Sequence, residues 1–237
     1  MKKKNLAFTL AEVLITLGVI GVVAAFIFPN LIHNYQKFVY KTKWKKAYSD
    51  FEKVASQISY DYGVDTFSEA LEIVKQQTGQ NDKDISTTLL KKYFNYSKVG
   101  VDGSSLYDLH KGTPFDCQFV YGKPFSGAKG NSVRYRYLNG QSAGYYITQY
   151  VSAGCIRTNN YDIVYRTDSN QAIITIKVSP TDKGGVIGED IFVLSINNLR
   201  KVVPAGSNDF YTGSDYACNK DAIYGGFACS SEYLLEK

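Results

Sequence analysis

Asp108, His110, Asp116 and Cys117 fall within the ten-residue stretch DLHKGTPFDC, where the chain gathers acids, an imidazole and a thiol. Such side chains can hold a metal ion or set a nucleophile beside a base. The spacing fits no zinc signature, however, and the chain has no C-x-x-C pair and a single other histidine, His33. Cys117 is better used in a disulfide, so no catalytic residue is assigned and the chain is not expected to be an enzyme. A second group, Asp182, Glu189 and Asp190 in SPTDKGGVIGED, offers oxygens of the kind calcium takes. Its order departs from an EF-hand, and a glycine-rich turn is the simpler account. No cofactor is expected, with calcium at these three residues as the one candidate.

A third carboxylate, Glu12, stands where none is expected. FTLAEVLITLGVIGVVAAFIFP, Phe8 to Pro29, is apolar almost throughout. From Phe8 to Phe28 it makes a helix roughly 31 Å long, the thickness of a hydrocarbon core. The basic stretch MKKKNLA precedes it. It can be a plain membrane anchor, or a secretory signal cut after VVAA with Val23 and Ala25 as the small residues. An acid near the centre of a span costs about 2.5 to 3.5 kcal/mol, and less near an end, which weakens both readings. A third reading gives the acid a use. Cutting after Ala7 exposes a new amine on Phe8. The amine of one chain and Glu12 of the next can then neutralise each other where the dielectric is low, and set the register between them.

The same residues resemble the class III leader and first helix of type IV pilins and type II secretion pseudopilins. That family pattern is a basic leader, a small residue, Phe-Thr-Leu-x-Glu, and an apolar helix carrying a glycine and then a proline. Here these are Lys2 to Lys4, Ala7 (where the family usually has glycine), Phe8-Thr9-Leu10, Glu12, Gly21 and Pro29, at the family spacing. The resemblance implies cleavage between Ala7 and Phe8 and N-methylation of Phe8 by a prepilin peptidase. It also implies assembly through Glu12, Gly21 and Pro29 into a secretion pseudopilus or a pilus. The partners implied are other copies or homologous pilin subunits, the peptidase, the inner-membrane assembly machinery and the membrane, with no nucleic acid required. The implied location is a single pass through the inner membrane with a periplasmic C-terminal domain, followed by the filament and the cell surface. Gly21 lowers helix propensity and Pro29 removes a hydrogen bond, so Val22 to Phe28 is the weakest part of the helix. The resemblance implies that this stretch unwinds on packing. The competing reading is a monomeric, membrane-anchored periplasmic binding protein.

Charge and cysteines add to this picture. The net charge is +5, but without Lys2, Lys3 and Lys4 the chain has 24 basic against 22 acidic side chains. That balance does not favour nucleic acid. Lys37, Lys41, Lys43, Lys45 and Lys46 follow the span and by number favour the opposite orientation. The leader lies closer to the apolar run and is taken as decisive; the lysine run is expected to be a solvated face. Four cysteines beyond an export signal suggest disulfides, with three possible pairings. Cys218 and Cys229 are close in sequence and flank the turn IYGGFA, which favours that pair and leaves Cys117 for Cys155. Closing so short a loop is worth about 3 kcal/mol.

After Pro29 the pattern becomes amphipathic. Leu31, Tyr35, Phe38, Trp44, Ala47, Tyr48, Phe51, Val54, Ala55 and Ile58 recur at three and four residues, so one helix is expected from Phe8 to about Tyr60, its second half lying on a globular body. Thr66 and Glu69 form a capping box that opens a short helix ending at Gly79. DISTTLLKKYFNY reads as another helix, burying Leu89, Leu90, Tyr93 and Phe94. From Phe115 onward the period is two. SVRYRYL, GYYITQYVS, DIVYRT, QAIITIKVS, DIFVLSI and RKVVP read as strands, with a hairpin turn at Asn139-Gly140. The expected fold is α+β and pilin-like: a long N-terminal helix on an antiparallel sheet. The expected organisation is a leader at 1–7, a filament-core helix at 8–28, its amphipathic continuation at 29–60 and a globular domain at 61–237. The closing segment YACNKDAIYGGFACSSEYLLEK resembles the cysteine-bounded C-terminal loop of pilins, which seals the sheet edge.

Overall fold

A computed structural model describes residues 9–80, 82–101, 135–143, 152–167, 172–179, 185–208 and 210–236. The chain forms two compact units, Met1–Val39 and Tyr40–Lys237. Helix α1 (Leu10–Tyr62, 53 residues) contributes to both.

Within the first unit, side chains from Leu10 to Phe28 are apolar around the whole helix apart from Glu12 and Thr16, and none is buried. Thr16 satisfies its hydroxyl locally, donating to the Val13 carbonyl at 2.9 Å. The helix runs unbroken through Pro29, so the stretch Val22 to Phe28 is helical in the single chain. The ring costs one backbone donor there. Leu31, Tyr35 and Phe38, expected on the buried face, are instead exposed. Full burial begins at Trp44, because the elements that cover α1 meet it only in the second unit.

That unit contains α2 (Phe67–Thr78), α3 (Asp82–Lys91) and α4 (Cys229–Leu235). Among the described residues its strands are β1 (Tyr96–Val101), β2 (Tyr135–Arg136), β3 (Ser142–Ala143), β4 (Ser152–Thr158), β5 (Asp162–Thr167), β6 (Ala172–Lys177), β7 (Gly185–Val186), β8 (Ile191–Asn198) and β9 (Lys201–Pro204). Six of them form an antiparallel sheet in the order β1-β4-β5-β6-β8-β9. The other three form a small sheet, β3-β2-β7, in which β2 and β7 run parallel. The fold is α+β with a pilin-like layout: a long N-terminal apolar helix and an antiparallel sheet.

The period of two along the strands sorts the large sheet into two faces. Ile156, Ile163, Ile174, Ile176, Phe192 and Leu194 share one core with Trp44, Phe51 and Ile58 of α1 and with residues of α2 and α3. Cys155, Val164, Ile173 and Val193 share the other with Ala205, just after β9, and with Phe227 from the closing segment. The closing segment thus packs on a face of the sheet through Phe227. Every residue of β6 is buried. Two hydroxyl pairs tie α3 to β5 inside the core, Ser86 to Thr167 at 3.0 Å and Thr87 to Tyr165.

Local signals account for the boundaries. Thr66 and Glu69 form the reciprocal cap of α2, and Gly79 ends it in a left-handed conformation at φ +63°. At the β2–β3 hairpin, Gly140 adopts φ +85° and donates its N–H to the Tyr137 carbonyl. Two strands of the large sheet escape the sequence pattern. β1, YSKVGV, is polar and contains a glycine, and β4, SAGCIRT, begins where GYYITQYVS was expected to end. Most of GYYITQYVS lies outside the described residues.

Burial raises the tyrosine hydroxyls of Tyr48, Tyr93 and Tyr233 to about 12, with Glu52, Asp61 and Glu236 respectively adding negative charge nearby. Tyr161 is raised by burial and then by Asp50, whose carboxylate accepts its O–H at 3.0 Å. Unfolded tyrosine ionises near 10, so the folded state holds these protons longer than the unfolded one. Their contribution is complete below about pH 10 and is lost as pH rises towards 12. Titration followed at 295 nm is expected to show these tyrosines ionising only with unfolding; simple titration of all twenty near pH 10 would contradict the packing. Phe51→Ala, which empties a fully buried site beside Phe94, is expected to cost about 3 to 5 kcal/mol in urea denaturation.

Candidate functional site

Helix α1 begins at Leu10, which places Thr9 at its N-cap. The Thr9 backbone N–H and hydroxyl both donate to Glu12 Oε2 at 2.8 Å. In return the Glu12 N–H donates to Thr9 Oγ1 at 3.3 Å. This is a capping box, the same T-x-x-E device that opens α2. The T-x-x-E spacing is identical at Thr9 and Thr66, so the first cap too is legible in the sequence. The cap gives the Glu12 carboxylate two donors from its own chain and closes orphan donors of the first turn. Ala7 and Phe8 lie outside the described residues.

Further along the helix, a Cβ built on Gly18 or Gly21 meets nothing within 4 Å. The chain's own packing does not require glycine at either position. The window around them is the one described segment long and apolar enough to cross a membrane.

The other residues singled out in the sequence separate into three sets. Asp108, His110, Asp116 and Cys117 lie outside the described residues, as does Asp182. Asp190 is engaged as a turn former, its Oδ1 accepting the Val186 N–H at 2.6 Å. Glu189 lies in the same turn, its own N–H donating to the Val186 carbonyl. Among the described residues no cluster of three or more His, Cys, Asp or Glu could hold a metal ion. Cys218 and Cys229 are joined by a disulfide with Cα atoms 4.7 Å apart. Cys155 is also disulfide-bonded; Cys117 lies outside the described residues.

The lysine run differs from the solvated face that was expected. Lys37 and His33 are exposed. Lys41 pairs with Glu236 and sits 3.9 Å above the Tyr233 ring, while Lys45 donates to the Glu236 carbonyl. Lys43 donates to the Val178 carbonyl at 3.3 Å, and Lys46 pairs with Asp50 one turn on. The C-terminal end of the chain folds back onto α1, and its acceptors take the lysines that the helix pattern alone left facing water. No short-range signal in the sequence announces a contact over such a separation.

Residues 2–28 match the prokaryotic N-terminal methylation motif, the prepilin-type signature of type IV pilins and pseudopilins. No curated protein and no solved structure matches the chain. The motif and the apolar helix fit a protein anchored in the inner membrane.

Asp190→Ala removes a charged acceptor from the β7–β8 turn. It is expected to lower stability by about 1.5 to 3 kcal/mol, equally with calcium and with a chelator, as read by thermal denaturation.

Proposed function

We propose that this chain is a prepilin-type structural subunit, cleaved between Ala7 and Phe8, N-methylated on Phe8, and assembled through α1 into a type II secretion pseudopilus or a type IV pilus. The observation that carries the reading is the methylation motif at 2–28 on a helix with no buried residue in its apolar window. Such a surface demands lipid before assembly and other helices after it, since each Å² of apolar area left in water costs about 25 cal/mol.

The mechanism follows from Glu12. In the membrane its carboxylate is held by Thr9, with both donors on Oε2. Cleavage creates an ammonium on Phe8 of a neighbouring subunit, and the second oxygen, Oε1, is the one that this ammonium meets. Charge neutralisation in a low dielectric then fixes how far one helix slides along the next. The open flanks of Gly18 and Gly21 let a neighbouring backbone approach closely.

The capping box also supports a second reading. A glutamate needed only to cap α1 requires no partner, and the chain is then a monomeric, membrane-anchored periplasmic binding protein. Glu12→Gln separates the two, because glutamine serves in a capping box but carries no charge. Loss of filaments in Glu12→Gln cells, with membrane insertion intact, is the expected outcome. Filaments at wild-type level in Glu12→Gln would remove the amine–carboxylate pairing. Mass spectrometry of the exported protein is expected to give an N-terminus at methylated Phe8; a start at Met1 or Phe26 would end the proposal.

A further inference from the structure

The chain closes with α4, a helix of seven residues. Isolated helices shorter than about 12 to 15 residues are marginal in water, so α4 has little stability of its own. Its N-cap residue, Ala228, supplies no side-chain cap bond. Its order comes from docking and from a covalent tether.

The docking is specific. Trp44 Nε1–H donates to the Ser230 carbonyl at 2.9 Å, and the Val193 N–H donates to Ser230 Oγ at 3.0 Å. The Ser231 N–H donates to the Ala205 carbonyl at 3.0 Å. Lys41 and Lys45 hold the far end of α4 through Tyr233 and Glu236. The tether is at the near end: Cys229, the first residue of the helix, is bonded to Cys218. Cys229 is fully buried and closely hemmed, since a Cβ on Gly188 would stand 2.7 Å from its sulfur.

We infer that the Cys218–Cys229 bridge is a redox-gated latch on the C-terminal helix. With the bridge oxidised, α4 stays seated over Trp44. With it reduced, α4 lifts from α1 while the six-stranded sheet keeps its pairing. The asymmetry has a physical cause. β6 and β8 are held chiefly by their own ladder and by Phe51, Val54 and Ile58 of α1, while α4 adds Cys229 and Tyr233 to the same core and a hydrogen bond to β8. α4, seven residues long and without a side-chain cap bond, opens as a local unit. In the reduction a dithiol gives two electrons and two protons to the bridge. The S–S bond breaks, two thiols form, and the reductant closes to its own cyclic disulfide. An oxidising disulfide of the surrounding compartment runs the step in reverse. The body therefore completes its fold only after meeting an oxidant, whether or not the chain builds a filament.

Trp44 is the only tryptophan in the chain and reports on the latch directly. The test uses the full chain in detergent micelles. It compares oxidised wild type, wild type in dithiothreitol, and the double variant Cys218→Ala, Cys229→Ala, which isolates this bridge from the one at Cys155. Tryptophan emission is expected to shift to the red in both altered samples, with amide exchange at 231–235 faster by roughly ten-fold or more. Exchange in β6 and β8 is expected to stay slow, and reoxidation of the wild type should restore the original emission. Two results would overturn the latch. Emission and exchange unchanged with both thiols shown to be free would mean that docking alone holds α4. Loss of β6 and β8 protection together with α4 would make the bridge a staple of the whole body.

Discussion

A helix that is apolar around its entire circumference cannot be satisfied by one covering surface, and this constraint governs α1 from Leu10 to Phe28. Lipid can surround it on all sides, and so can a bundle of like helices. A sheet, which offers a single face, cannot. The change comes at Tyr40 to Trp44, where the apolar positions narrow to one stripe and a sheet becomes a sufficient partner. The division of the chain into two units at Val39 and Tyr40 coincides with that change in what the helix needs.

Glu12 illustrates how a costly group is made tolerable in stages. Its own chain supplies the first stage, since Thr9 donates twice to one oxygen without any assembly. Two charge-assisted hydrogen bonds reduce the cost of desolvation but leave the charge itself unbalanced. In the proposed filament a positive group from another chain would remove that remainder and set the register in the same event. The cap matters for specificity too: it fixes where the carboxylate points before any partner arrives.

The body is built around the return of the chain's end to its first helix. Trp44 stacks on Phe192 of β8 at 4.9 Å and donates to Ser230 just inside α4, so helix, sheet and C-terminus meet at one indole. The lysines of α1 find carboxylate, carbonyl and ring acceptors near the same place. Most of these ion pairs are half exposed and contribute little each; the buried aromatic and backbone contacts carry the stability.

Much of this was legible from residue order alone, because the governing interactions are local. The span, its acid, the three-and-four spacing from Trp44 to Ile58, the Thr66–Glu69 cap and the Asn139–Gly140 turn each depend on neighbours a few residues apart. The methylation motif is of the same kind. What local order could not decide was which elements cover which. β1 and β4 were missed because polar or small residues pair well enough when a partner strand is waiting, and the partner is distant in sequence. Leu31, Tyr35 and Phe38 continue the helical stripe but stay exposed, since periodicity states which face is apolar and not where the cover ends. The lysines facing Tyr233 and Glu236, and the closing segment laid over Cys155, Val164 and Val193, were decided by chain return alone. Contacts across nearly the whole chain leave no periodicity to read, and only the packed tertiary structure sets them.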